Sequence, residues 1–454
     1  MKKIIVCMAT LLAMCGLASC GGETGGNDEL TGTAAVVAAA SKMSIKELEQ
    51  ASKKEMEESK ETFKVLGLTS ALSKAVDQLA EKYDWIKVGD GGNTFVNNSY
   101  KDYTLLSALE PAANSYVADY ALVQDARSIA DYTASGILHN YVPSDVASYG
   151  LDADGIMPLQ GIHFNKIFWT NTNFETVTGK KLYNIWQVAG TNDDADHLSK
   201  VSFQSPVTEQ INMSFLLSVM DKKNEGRLLS SYKSYYKKDW EASKDYATIG
   251  EQWVKQFIKN ITRYHSSDGT AMKETQLKDD WNEGYVYFGA YSKMKDAAGK
   301  FYSVAGQETD PILKNLIIKD GENAGKIKAM DTVKWDWNIE GFNGYFYTMF
   351  SQVVNNAKHP YTACLFSRYV LEGDFYTKTI YGSKTPNEDG TKGNQYGYYY
   401  PGTMGAYGSN EKVTVNSYDW TKAQWKERSL CESYEYLSTV RSAKVAEISS
   451  LIKA

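Results

Sequence analysis

The stretch that most limits what this chain can become runs from Trp335 to Phe375. Tyr345 to Val354 is dense in Tyr, Phe and Val, residue types that suit a pleated, half-buried strand. A polar break follows, Asn355-Asn356-Ala357-Lys358, and then His359-Pro360. Proline is at home in the first turn of a helix, because the N–H it lacks has no partner there. Leu365, Phe366, Tyr369 and Val370 then fall on one side of that helix, and Gly373 offers a C-terminal stop. The order is strand, break, His-Pro, apolar helix and stop.

That order resembles one segment of the type 2 periplasmic solute-binding proteins. In that family the chain returns from its second lobe through a hinge strand and enters a helix that opens with His-Pro and carries Ala-x-Leu-Phe. Here those positions are His359-Pro360 and Ala363-Cys364-Leu365-Phe366. The resemblance implies an α/β fold of two lobes joined by two hinge-crossing strands, with a small solute enclosed between them. It implies no cofactor and no chemistry on the solute.

The N-terminus is the most specific local signal. Lys2-Lys3, an apolar run from Ile4 to Leu17 and Leu17-Ala18-Ser19-Cys20 read as a secretory signal, too short to remain as a spanning helix. Leu-Ala-Ser-Cys resembles a bacterial lipobox, which implies cleavage before Cys20 and lipid on its sulfur. Residues 1–19 are then the signal peptide. Residues 20–43, rich in Gly, Thr and Ala, read as a flexible tether to the membrane. Cleavage removes Lys2 and Lys3 from 49 basic residues, which leaves 47 against 55 acidic ones, a balance of −8. With no basic run of the required kind, nucleic acid is not an expected partner. Cys364 and Cys431 remain besides Cys20; the compartment permits a disulfide, and their spacing does not establish one.

Along the chain, Ser44-Ile45-Lys46-Glu47 is a capping box that opens a charged helix. Phe63 to Leu68 is a short strand ending in Thr69-Ser70, with a helix from Ala71 to Tyr83. Ligands of open α/β sheets sit beyond the carboxyl ends of strands, so Thr69 and Ser70 are candidates for solute contact; Ser70 can equally be a helix cap. Val117 to Val123 is the next strand. Gln124 and Asp125 follow it and are candidates through the resemblance, whose corresponding loop faces the cleft.

Gln160 to Asn171 reads as the first hinge strand, since the family's crossing strand ends in Asn-Thr as Asn171-Thr172 do here. Lys200 to Pro206 resembles the family's "G-K-V-x-F-x-D-P" strand, with Ser205 where Asp is usual. Residues 230–265 read as helical. Tyr285 to Ala290 is a strand whose end makes Tyr291 and Ser292 candidates. Glu340 precedes the return strand where the family touches solute. Trp335 and Trp337 lie near it at a strand spacing that puts both on one face, so Trp337 is a further candidate and core packing the competing role. Residues 380–410 read as an irregular loop, and two closing helices follow. Lobe 1 is expected over 44–160 and 345–454, and lobe 2 over 161–344.

No Gly-rich phosphate loop, Gly-x-Ser-x-Gly elbow or His-Glu-x-x-His occurs, and His139, His163, His197, His265 and His359 are scattered. Aromatic content is 13%, with 32 Tyr and 10 Trp, which suits a Tyr-rich core or an aromatic-lined pocket for a sugar or organic cation. The expected partners are a small solute, polyamine-like or sugar, an ABC permease, and a membrane through the lipid anchor, outside the cytoplasm. An iron site built on Tyr345 and Tyr347 stays open. Two rival readings are an all-helical surface glycan-binding lipoprotein and a secreted hydrolase.

Overall fold

The computed structural model describes residues 30–67, 71–89, 102–124, 126–151, 153–276, 281, 283–294, 300–306, 308–310, 313–336, 338–375, 405–413, 419–440 and 442–452. Nine strands carry the argument. They are β1 (Val65–Gly67), β2 (Tyr120–Val123), β3 (Gln160–Asn171), β4 (Val201–Gln204), β5 (Ile261–His265), β6 (Val286–Ala290), β7 (Gly344–Val354), β8 (Ala406–Gly408) and β9 (Leu430–Cys431). The helices that pack on them are α1 (Gly32–Ala40), α2 (Ile45–Glu58), α3 (Ala71–Lys82), α4 (Ala126–Ala134), α5 (Gln210–Val219), α6 (Ile249–Asn260), α7 (Asp268–Thr275), α8 (Pro360–Leu371), α9 (Lys422–Arg428), α10 (Tyr434–Thr439) and α11 (Ser442–Leu451).

The sheet runs β1-β2-β7-β3-β6-β4-β5. Its centre is the antiparallel pair β3 and β7, of 12 and 11 residues. At about 3.3 Å per residue each strand is roughly 40 Å long, enough to serve two lobes. On its other edge β3 pairs with β6 through Lys166–Trp169, and β7 pairs with β2 through Phe350–Val353. One lobe is therefore β1 and β2 with α2, α3 and α8. The other is β4, β5 and β6 with α5, α6 and α7. Both crossing strands read from sequence are present over the expected residues.

The start of α8 shows why His-Pro stands where it does. The fully buried Asp119 carboxylate accepts from the backbone N–H of Lys358 at 2.8 Å, of His359 at 3.0 Å and of Lys64 at 2.8 Å. His359 Nδ1 lies 3.1 Å from the same carboxylate, and its Nε2 lies 2.8 Å from Ser59 Oγ. Pro360 has no N–H to satisfy. The next two N–H groups, of Tyr361 and Thr362, donate to Glu55 on α2 at 3.0 and 2.9 Å. Two carboxylates thus cap one helix from outside it, which supplies partners for N–H groups that have none within the helix. Burial pushes the Glu55 carboxyl up to about 7, against the pull of those hydrogen bonds.

Several sequence expectations change. Gly32–Ala40, placed in the tether, forms α1 and buries Val37 and Ala40 against the α8 core. An Ala-Val run is helix-prone, and a neighbouring apolar surface suffices to dock it. Ile261–His265, read as helix, is the edge strand β5, because parallel pairing with β4 outweighs local preference. Most of 380–410 lies outside the described residues, but Ala406–Gly408 pairs with β3 as a strand. Trp335 follows a two-residue strand rather than lying within one. Cys364 and Cys431 are both free thiols.

Asp119→Ala removes the acceptor of three buried backbone donors and of His359. It should lower unfolding stability by about 3–5 kcal/mol in urea titrations, whereas Glu57→Ala, in an exposed pair with Lys53 on α2 of the same lobe, should cost less than about 1 kcal/mol.

Candidate functional site

Cross-strand neighbours on an antiparallel pair share a face. The register pairs Tyr347 with Phe164 and Tyr345 with Lys166, so these four side chains project to one side of the crossing ribbon. Phe164 is half-buried and packs against two large apolar clusters, one confined to the first lobe and the other running through both lobes. Its ring stacks on Tyr347 at 6.0 Å and 28°, and Tyr347 stacks on Tyr345 at 6.1 Å and 15°. We call these rings the floor of the region between the lobes: Phe164 is half-buried there, and Tyr347 and Tyr345 are buried.

The walls come from strand ends. In the first lobe, Tyr120 and Leu122 of β2 share the core of Met349, and Gln124 continues that alternation one residue past the strand. Gln124 is almost buried, and its amide has no hydrogen-bond partner among the described residues. Arg127, at the start of α4, donates to Oε1 of Gln210, the first residue of α5 in the second lobe. That contact spans the mouth. In the second lobe, Gln204 ends β4; its Nε2 donates to the Ser266 carbonyl at 3.3 Å, and its own carbonyl accepts from Asn212 at 2.7 Å.

Charge in this wall is internally matched. Lys166 is 1% exposed and its Nζ lies 3.2 Å from Asp268, in the first turn of α7, where the helix dipole also favours a carboxylate. His265 sits beside them with Nδ1 3.1 Å from Ser202 Oγ, and burial pushes its ring down to about 4. His265 is therefore neutral at pH 7.

The residues expected at the site divide. Gln124 reaches it. Thr69, Ser70, Asp125, Trp337 and Cys20 lie outside the described residues. Tyr291 is fully buried in a third apolar cluster with Trp169 and Phe346, its ring 5.7 Å from Trp335 and 5.2 Å from Trp425. Phe346 alternates with Tyr345 and Tyr347, so Tyr291 faces away from the floor. Ser292 is half-buried on that same side, with its N–H against Gly405. Glu340 is exposed on the second lobe, where it bridges to Asn184 and accepts its amide at 2.8 Å. Phe164, Arg127, Gln204 and Gln210 were not singled out from sequence. Only Phe164 carried a signal, the alternation of β3, and the register that turns it toward the gap is a property of the partner strand.

Tyr345 is not available to a metal. Its hydroxyl lies 3.3 Å from both Ser218 and Glu432, and burial beside that carboxylate holds the phenol well above its usual range.

No protein-family model matches the chain, and no curated protein matches it in sequence. Solved structures do match. The periplasmic binding protein P5PA superposes with a TM-score of 0.53 at 10% identity, covering 86% of this chain and 99% of that one. Iron-bound HitA from Pseudomonas aeruginosa gives 0.52 at 12% identity, covering 87% and 99%. MotA from A. tumefaciens B6, in complex with glucopine, gives 0.51 at 9% identity, covering 87% and 100%. The fold is that of a two-lobe periplasmic binding protein. At these identities the likeness concerns architecture, and each periplasmic binding protein's solute belongs to that protein.

A neutral His265 carries a pH signature. Its folded value lies below its ordinary 6.5, so the stability it contributes is complete above that value and is lost as pH falls toward about 4. NMR titration should find the ring unprotonated at pH 5.5. His265→Gln should lessen the decline in urea midpoint between pH 6.5 and 4.5.

Proposed function

We propose that this chain is a lipid-anchored solute-binding protein that captures a small solute between its lobes for an ABC importer. The observation that carries the reading is the pair β3 and β7, which cross from one lobe to the other with Phe164 half-buried beside Tyr347 midway along them. A solute resting on that floor touches both lobes at once, so its contacts are best when the lobes are closed. Closure then follows from differential affinity for the two settings. No covalent step is part of the proposal.

The chemistry around the floor favours a neutral ring solute, such as a sugar, over a polyamine. Gln124 offers an amide donor and acceptor, Gln204 and Gln210 each keep one amide end beyond their bonds to Ser266 and Arg127, and the half-buried Phe164 offers an apolar face, the mixture that polar ring ligands require. A polyamine needs unmatched carboxylates. Among the described residues, Asp268 is matched by Lys166, and Glu340 is engaged by the Asn184 amide. Iron on a tyrosine pair is disfavoured by the engagement of Tyr345.

A thermal-shift screen against monosaccharides and disaccharides, polyamines, amino acids and ferric citrate tests this. A sugar at 100 times its dissociation constant should add about 2.7 kcal/mol to stability. Phe164→Ala and Tyr347→Ala should each weaken that sugar at least tenfold by calorimetry, while both variants still unfold cooperatively. A shift with polyamines alone rejects the sugar, and no shift with any class rejects solute capture. Separately, metabolic labelling with a radioactive fatty acid should mark the wild-type chain, and Cys20→Ser should remove the label.

A further inference from the structure

The two strands that cross between the lobes are not left as a two-stranded hinge. On the outer edge of β3, β6 of the second lobe covers Lys166–Trp169, and β8 continues the same line along Ile162–Phe164. On the outer edge of β7, β2 of the first lobe covers Phe350–Val353, and β9 continues that line along Tyr345 and Phe346. Both additions come from one part of the chain, after α8. We infer that the described segments 405–413 and 419–440 form a strap that locks the crossing strands in one setting, so that the lobes separate only when the strap is released.

Each end of the strap is pinned by a carboxylate. Asp419 accepts from Gly405 N–H at 3.1 Å, Tyr407 OH at 2.7 Å, Trp425 Nε1 at 2.9 Å and Trp420 N–H at 2.7 Å, which ties β8 to α9. Gly405 takes a φ of +76°, and a Cβ there would meet Asn165 of β3 and the Ser292 N–H of the second lobe at 2.7 Å each. The strap therefore touches the second lobe at the point where it pairs with the first-lobe half of β3. Beyond β9, Glu432 accepts from the Thr348 N–H of β7 at 2.9 Å and lies 3.3 Å from Tyr345 OH.

The last part of the strap bridges the lobes directly. Helix α10 packs against α4 of the first lobe and α5 of the second, with Leu437 fully buried and Tyr434 6.0 Å from Phe350. Rotation of one lobe about β3 and β7 cannot leave α10 in contact with both helices. It also shears β8 and β9 against strands whose other neighbours belong to the opposite lobe. Release of these contacts is the step that opening requires.

The inference goes beyond the proposed capture, and its test needs no solute. Hydrogen exchange by mass spectrometry and small-angle X-ray scattering are measured on the full mature chain and on Asp419→Ala and Glu432→Gln. Each variant should exchange amides of 160–165 and 345–348 at least tenfold faster than wild type, enlarge the radius of gyration, and leave α8 and β4 protected. Glu432→Gln keeps the shape of the side chain and decides the matter if Asp419→Ala does not fold. A cooperatively folded Glu432→Gln chain with wild-type exchange and scattering overturns the strap. So does acceleration spread evenly over the molecule, because that reports general loss of stability.

Discussion

The antiparallel pairing of β3 with β7 is the constraint from which the rest follows. Two strands of 12 and 11 residues lie side by side at the centre of the sheet. Their inner edges satisfy each other, and their outer edges must be satisfied by something else, since a long unpaired edge invites association with other chains. The chain meets this by giving each outer edge to a different lobe for part of its length. The two lobes therefore stack on opposite sides of the pair, the first outward from β7 and the second outward from β3. On one face the two strands present Phe164, Lys166, Tyr345 and Tyr347 between those lobes.

Buried carboxylates hold this arrangement where apolar packing cannot specify it. Asp119 joins the entry of β1 to the start of α8, Glu55 caps that same helix from α2, and Asp419 gathers four donors from three short segments. A desolvated carboxylate is unfavourable until its donors surround it. The upward displacement of Glu55 to about 7 and of Asp419 to about 6 records that burial is the larger effect at both. These groups act as fixed points: a shift of any attached segment leaves a charge or an N–H unmatched. Apolar clusters tolerate small sliding movements, and such networks do not.

What was legible in the sequence was whatever local chemistry determines. The bounds of β3, the start of α8 at Pro360 and the capping box at Ser44 depend on alternation, on the missing proline N–H and on a serine-glutamate pair three residues apart. What depended on a distant partner was not legible. Tyr291 looked like a residue at the open end of a strand, yet Trp335 and Trp425 close over it. Glu340 stands just before the return strand as expected, yet its carboxylate is taken by Asn184, a residue far away in the chain. Asp119 stood in plain view two positions after Val117, and nothing local distinguishes it from Asp125. Its role comes from Lys64 and His359, far away in the chain. Residues 405–408 carry no strand signal at all, because a three-residue strand exists only through the edge it covers.

The floor and the strap impose opposite demands on the same two strands. Capture by closure needs β3 and β7 to absorb a change of dihedral angles, and added strands stiffen them, since every extra ladder bond must be kept or broken during the change. Stiffness need not defeat capture. A receptor held near its closed setting loses less conformational freedom when solute arrives, so preorganisation raises affinity while entry becomes slower. The Arg127 to Gln210 contact across the mouth is consistent with that setting. On this view the segment after α8 tunes the exchange of affinity for speed without touching the solute, which separates what selects the guest from what times its entry and exit.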